Sequence, residues 1–179
     1  MTGILENLQI LIVEDTLTQA MMIQHVLEKL GAKTKVAKSG DKALKELAET
    51  DNLPGLILCD VNMPGMSGFE LCTAIKADER LASITFVLLS TLVESSDLLN
   101  VIECGADDFI YKNFEGEYFK ERLQCILENK IADELGPSIA PKISIGREKH
   151  TVQIQGQRLA NLLVSSFEAA IFHNRNAKG

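Results

Sequence analysis

Leu56-Ile-Leu-Cys-Asp60, continuing into Val61-Asn-Met-Pro-Gly-Met-Ser-Gly68, is the stretch that decides the fold. Four apolar residues entered from Pro54-Gly55 read as a strand buried on both faces, the pattern of a parallel sheet covered by helices. The run then ends on a carboxylate. The same pattern recurs three times: Ile10-Leu-Ile-Val13 runs into Glu14-Asp15, Phe86-Val-Leu-Leu89 into Ser90, and Phe109-Ile-Tyr111 into Lys112. Ligands of open α/β sheets bind at the C-terminal ends of the strands. Three carboxylates, a hydroxyl and an ammonium are therefore expected in one crevice.

Working outward, helical periodicity follows each strand. Met22, Ile23, Val26, Leu27 and Leu30 share a stripe closed by Gly31, and Ser39-Gly-Asp41 caps a helix carrying Ala43, Leu44 and Leu47. Further helices are expected over Phe69 to Lys76, Glu94 to Cys104 and Glu115 to Lys130, with Lys33 to Ala37 as an additional strand. Five strands alternating with five helices predict a doubly wound five-stranded parallel sheet in residues 1–132, since right-handed crossovers place helices on both faces.

Beyond it, Gly136-Pro-Ser-Ile-Ala-Pro141 marks a linker over 133–141. Residues 142–179 read as a β-hairpin, Ile143 to Ile145 and Val152 to Ile154 around Gly146 to Lys149, then an amphipathic helix from Gln157. Its stripe carries Leu159, Leu162, Leu163, Phe167, Ala170 and Ile171. A hairpin and one helix cannot bury their apolar faces alone. They are expected to couple to an output, to form a homodimer through the stripe, or to fold back on the first domain, and the chain is expected to be a piece of a longer protein.

Composition narrows the classes. With 46% hydrophobic residues among 179, a full core is affordable. No apolar stretch has the length of a membrane span and the N-terminus lacks a signal-peptide pattern, so a cytoplasmic protein without membrane contact is expected. Cys59, Cys72, Cys104 and Cys125 lack metal spacing and read as reduced thiols. Residues 1–136 hold 12 Lys and Arg against 23 Asp and Glu, a balance of −11, while residues 137–179 hold 6 against 2. An acidic body argues against nucleic acid as partner.

Glu14, Asp15 and Asp60, once adjacent, repel one another unless a cation joins them. An all-oxygen set suits a hard ion, Mg²⁺ in particular, and the absence of His and Cys from these strand ends argues against zinc. An ionised Asp60 is then able to attack phosphorus, while Lys112 and Ser90 stabilise the phosphoryl oxygens. Singly, Asp15 reads equally as a helix cap, and Lys112 reads more readily as a solvated charge. Their joint occurrence at the ends of separate strands favours the site.

These residues carry a resemblance. Leu11-Ile-Val-Glu-Asp15, Asp60-Val-Asn-Met-Pro-Gly-Met-Ser-Gly68, Leu88-Leu-Ser-Thr91 and Gly105-Ala-Asp-Asp-Phe-Ile-Tyr-Lys112 resemble the motifs of the receiver domain of bacterial two-component response regulators. The resemblance covers residues 8 to about 130 and implies a flavodoxin-like sheet of order 2-1-3-4-5, with Asp60 phosphorylated by a sensor histidine kinase. It further implies that Glu14, Asp15, Asp60 and the backbone carbonyl of Asn62 organise Mg²⁺, that Ser90 is the switch hydroxyl with Thr91 beside it, and that Lys112 contacts the phosphoryl group. Phe109 falls at the aromatic switch position. The tail resembles linkers that join receivers to sensor or histidine kinase modules.

There are departures. Asn113 stands where relatives carry a cis proline, and a non-proline cis bond costs about 3 to 4 kcal/mol, so a trans bond is expected. Thr91 is bulkier than usual and Leu92 less polar, which predicts slow phosphoryl exchange. The expected function is a phosphorylation-operated signalling switch, not an enzyme in its own right, acting through the helix 4, strand 5 and helix 5 face on a downstream output or kinase module. The alternative is a pseudo-receiver serving as a constitutive interaction domain. A phosphatase is disfavoured because Asn62 occupies the place of a second acid.

Overall fold

The computed structural model describes residues 5–91, 95–112, 117–133, 138–139, 142–145, 148–151, 154–155 and 162. Strands β1 (Gln9–Val13), β2 (Lys33–Ala37), β3 (Leu56–Asp60), β4 (Thr85–Ser90) and β5 (Asp108–Tyr111) form one parallel sheet of order β2-β1-β3-β4-β5. Helices α1 (Leu17–Lys29), α2 (Gly40–Glu49), α3 (Gly68–Ala77), α4 (Ser95–Glu103) and α5 (Glu117–Asp133) alternate with them. Each expected strand and helix of the first domain is present, with no end moved by more than three residues.

Successive strand residues face opposite sides of the sheet, and each side has its own core. Leu11, Val13, Ile57, Cys59, Phe86, Leu88 and Phe109 pack with Ala43 and Leu47 of α2, Leu71, Cys72 and Ile75 of α3, and Val101 and Ile102 of α4. Ile10, Ile12, Leu56, Leu58, Val87, Leu89 and Ile110 pack with Ile23 and Leu27 of α1 and Phe119, Leu123 and Ile126 of α5. β3 and β4 are buried along their whole length, which is why they read as unbroken apolar runs. β2 lies at the sheet edge and alternates exposed Lys33 and Lys35 with half-buried Thr34 and Val36, the charged guard of an exposed edge.

The helix ends follow local chemistry. Gly31 (φ +89°) closes α1: its N–H donates to Glu28 O (3.0 Å) and that of Ala32 to Leu27 O (3.1 Å), a turn only glycine enters freely. α3 begins in a capping box, with Ser67 Oγ accepting from Glu70 N (3.3 Å) and Glu70 Oε2 accepting from Ser67 N (2.8 Å). Gly68 is sterically required, because a Cβ there would run into the backbone carbonyl of Asp60.

The tail departs from expectation. Lys142–Ile145 (β7) pairs antiparallel with Glu148–Thr151 (β8), so the second hairpin strand lies earlier than Val152 to Ile154. Ile154–Gln155 (β9) instead pairs with Ser138–Ile139 (β6), a strand inside the stretch read as linker. Pairing of Ile145 with Glu148 leaves only Gly146 and Arg147 between the strands, and so short a connection sets the register ahead of side-chain alternation. Of the expected C-terminal stripe, Leu162 is helical, fully buried and part of the core on the α2, α3 and α4 side; the rest of the stripe lies outside the described residues.

Candidate functional site

The parallel register brings the ends of β1, β3, β4 and β5 to one edge of the sheet. Asp60 ends β3 opposite Leu89, and Ser90 ends β4 opposite Tyr111. Glu14 and Asp15 follow β1, and Lys112 follows β5 with its N–H donating to Ser90 O (2.7 Å). Carboxylate oxygens of Glu14, Asp15 and Asp60 lie within 4.8 Å of one another. Glu14 is wholly buried, Asp60 nearly so, and Asp15 exposed at the rim.

Lys112 closes the site from the β5 side. Its Nζ donates to Glu14 Oε2 and Gln19 Oε1, each at 2.8 Å, and forms an ion pair with Asp60 Oδ2 at 2.8 Å, and its side chain is 5% exposed. An ammonium has three donors, so this coordination is complete. The second oxygens are held as well: Asp60 Oδ1 accepts from Asn62 N (3.2 Å) and Glu14 Oε1 from Thr16 N (3.2 Å). Three carboxylates still face one ammonium. Burial pushes the Glu14 carboxyl above its usual range, with the Asp60 charge adding to the rise, while Lys112 and Thr16 hold it down. The Cys59 thiol, whose Sγ donates to Asp60 O (3.2 Å), is pushed well above its usual range by burial and then by the Asp60 and Glu14 charges, so it stays a neutral thiol.

Clustered, anionic, all-oxygen donors with one member already protonation-prone fit a hard divalent cation. Asp15 is not the cap of α1; the cap is Thr16, whose side chain makes no cap bond but whose hydroxyl donates to Asp15 Oδ1 (3.2 Å). Asp15 thus remains at the mouth of the cluster.

Of the remaining expected residues, Ser90 is buried at its strand end and Thr91 is exposed immediately after it. Asn62 meets Asp60 through its backbone N–H, with its side chain exposed. Phe109 is 5% exposed and packs in the core rather than lining the cluster. Leu92 and Asn113, with the expected trans bond before Asn113, lie outside the described residues. Gln19 was not foreseen. It stands in the first turn of α1, where a glutamine otherwise reads as a solvated side chain.

A second constellation sits at the opposite edge of the sheet. Lys76 Nζ donates to Ala82 O (3.1 Å), Ile84 O (2.8 Å) and Asp107 Oδ2 (2.7 Å), and that carboxylate oxygen also accepts from Phe86 N (2.7 Å). On β5, Asp108 Oδ2 accepts from Arg122 of α5 (2.7 Å), both side chains being buried.

Comparison with known proteins agrees on one family. Residues 10–124 match the model of the family described as response regulator receiver domain. The chain is 40% identical over 126 residues to "Histidine kinase P4" of Formosa agariphila, covering 70% of this chain and 9% of that protein. It is 28% identical over 152 residues to the DNA-binding response regulator MtrA of Mycolicibacterium smegmatis, covering 85% of this chain and 64% of that one. The crystal structure of the signal receiver domain of a signal transduction histidine kinase from Syntrophus aciditrophicus superposes with TM-score 0.61 at 38% identity, covering 68% of this chain and 90% of that. The chain therefore spans less than two thirds of either full-length relative.

Proposed function

This chain belongs to the response regulator receiver family of two-component signalling, and from that premise we propose that Asp60 is its phosphoacceptor and that phosphorylation operates it as a switch. The observation that carries the reading is the close acidic cluster with an ammonium 2.8 Å from Asp60 Oδ2. An Asp60 oxygen attacks phosphorus of a phosphohistidine on a sensor histidine kinase. The new P–O bond forms as the P–N bond breaks, and the donor ring departs with that electron pair and takes up a proton.

Glu14, Asp15, Asp60 and the carbonyl of Asn62 would hold Mg²⁺, which when bound supplies positive charge for the phosphoryl oxygens. Within the chain, Asn62 N orients Asp60, Lys112 neutralises phosphoryl charge, and Ser90 is the hydroxyl that meets the phosphoryl group, with Thr91 limiting access from solvent. Phe109 transmits the change to the helix 4, strand 5 and helix 5 face and so to a downstream output or kinase module. Any enzymatic activity is limited to gaining and losing this phosphoryl group.

Partner docking has a physical candidate. Leu17, Met21 and Met22 are large apolar side chains with 58%, 59% and 48% of their surface exposed, on α1, the helix that follows Glu14 and Asp15 in the chain. Such a patch suits an apolar face on the phosphodonor. Receivers carried by histidine kinases among the relatives support placing this one in a kinase-linked, longer cytoplasmic protein. Among the described residues, no helix is long and apolar enough to cross a membrane.

Incubation with Mg²⁺ and acetyl phosphate, followed by intact mass measurement, tests the reading. A phosphate-sized gain lost in Asp60→Asn is expected. No gain under any donor would instead make the chain a constitutive interaction domain.

A further inference from the structure

We infer that Gln19 is a positioning residue for phosphoryl transfer, an uncharged anchor that keeps the Lys112 ammonium at the site. The inference deepens, and rests on, the reading of Asp60 as phosphoacceptor. Lys112 has three partners at equal distance, but they are chemically unequal. Asp60 Oδ2 is the neighbour of the bond to be made, and Glu14 belongs to the acidic group that would hold a cation. When phosphorylation makes one Asp60 oxygen the bridging atom of an acyl phosphate, that oxygen loses its charge and becomes a poor acceptor for an ammonium. Lys112 is then free to turn toward the phosphoryl oxygens.

Gln19 Oε1 is unaffected by that exchange. An amide oxygen carries no net charge, is not titrated near neutral pH and is a weaker ligand for a hard cation than the neighbouring carboxylates. It holds one of the three Lys112 donors throughout, leaving two to move from carboxylates to phosphoryl oxygens. The anchor itself is rigidly mounted. Gln19 is half-buried in the first turn of α1, and Ala20, Ile23 and Leu27 fix that helix in the core. A flexible lysine stem of four carbons loses entropy when its head is fixed, and a preformed acceptor removes that cost from the transfer step.

The test is a double-mutant cycle between Gln19→Leu and Lys112→Met in the full chain. Phosphorylation rate constants are measured with acetyl phosphate at saturating Mg²⁺. Gln19→Leu is expected to slow uptake by about threefold to tenfold, the range into which the net worth of one hydrogen bond converts. In the Lys112→Met background the same substitution is expected to change nothing further. An equal fold-change in both backgrounds, or none where Lys112 is present, overturns the anchor.

Mg²⁺ affinity by calorimetry is a second readout. It is expected to stay within about twofold in Gln19→Leu, less than the change in rate. A loss of affinity matching the loss of rate would make Gln19 a metal ligand and overturn the inference.

A third readout is independent of phosphorylation. Urea midpoints for the single and double variants are expected to be non-additive, because both substitutions remove the same contact; strict additivity overturns the anchor. Absence of any phosphoryl uptake by the wild-type chain would defeat the Asp60 reading, while the anchor would stand or fall on the unfolding cycle.

Discussion

Lys112 and Lys76 are two ammonium groups with complete coordination at opposite edges of one sheet, and their acceptors separate a site from a brace. Lys76 binds two backbone carbonyls and one carboxylate, so charge is balanced and three segments are tied together: the end of α3, the entry to β4 and the entry to β5. Lys112 binds two carboxylates and an amide while a third carboxylate stands nearby, so negative charge is in excess. Equal numbers of close polar partners thus yield a closed structural joint in one place and an open demand for positive charge in the other. Ligand-binding capacity follows from the residual charge, not from how well the lysine is satisfied.

Removal of each lysine sharpens that contrast. Lys112→Met leaves Glu14 buried without its cation and is expected to cost about 2 to 4 kcal/mol at neutral pH without Mg²⁺. Most of the loss returns when millimolar MgCl₂ is added. Lys76→Met is expected to cost about 2 to 3 kcal/mol through the lost charge-assisted bonds, with no recovery in Mg²⁺. Urea unfolding with and without the ion reads both, and equal responses of the two variants to Mg²⁺ would break the distinction.

A smaller effect concerns protons. Because the Glu14 carboxyl is held above its usual range by burial, the folded state binds its proton before the unfolded state does. Lowering the pH from neutral into that range adds stability from Glu14, which is complete below the ordinary glutamate value. Metal-free wild type should therefore lose less stability on acidification than Glu14→Gln. Identical pH profiles would refute it.

The smallest effect lies outside both lysine centres. Ser67→Ala removes the cap of α3 and is expected to cost about 1 kcal/mol. Bonds from Ser67 hold the exposed Glu70 carboxyl below its usual range. Its contribution has the opposite sign to that of Glu14, present above the ordinary glutamate value and lost as pH falls through the lowered one. A Glu70→Gln chain that keeps the wild-type profile below pH about 4 would exclude this coupling.

What the sequence discloses tracks how local the cause is. β1, β3, β4 and β5 were legible because both-sided burial writes unbroken apolar runs, and their polar terminators named Glu14, Asp15, Asp60, Ser90 and Lys112 as neighbours. The sheet order came from resemblance to the family, since periodicity alone does not rank strands. Gln19 was illegible because its partner lies 93 residues away and nothing in α1 marks it. The tail hairpin misled for another reason. Val152 to Ile154 alternates more cleanly than Glu148 to Thr151, yet the short connection after Ile145 determines which segment pairs.

Location of the phosphoryl group tests the central claim most directly. After reaction with acetyl phosphate and Mg²⁺, borohydride reduction converts an acyl phosphate to the corresponding alcohol, and peptide mass spectrometry reads its position. Reduction at Asp60 alone is predicted. Reduction at Glu14 or Asp15, or phosphate retained on Ser90 with Asp60 unmodified, would contradict the account.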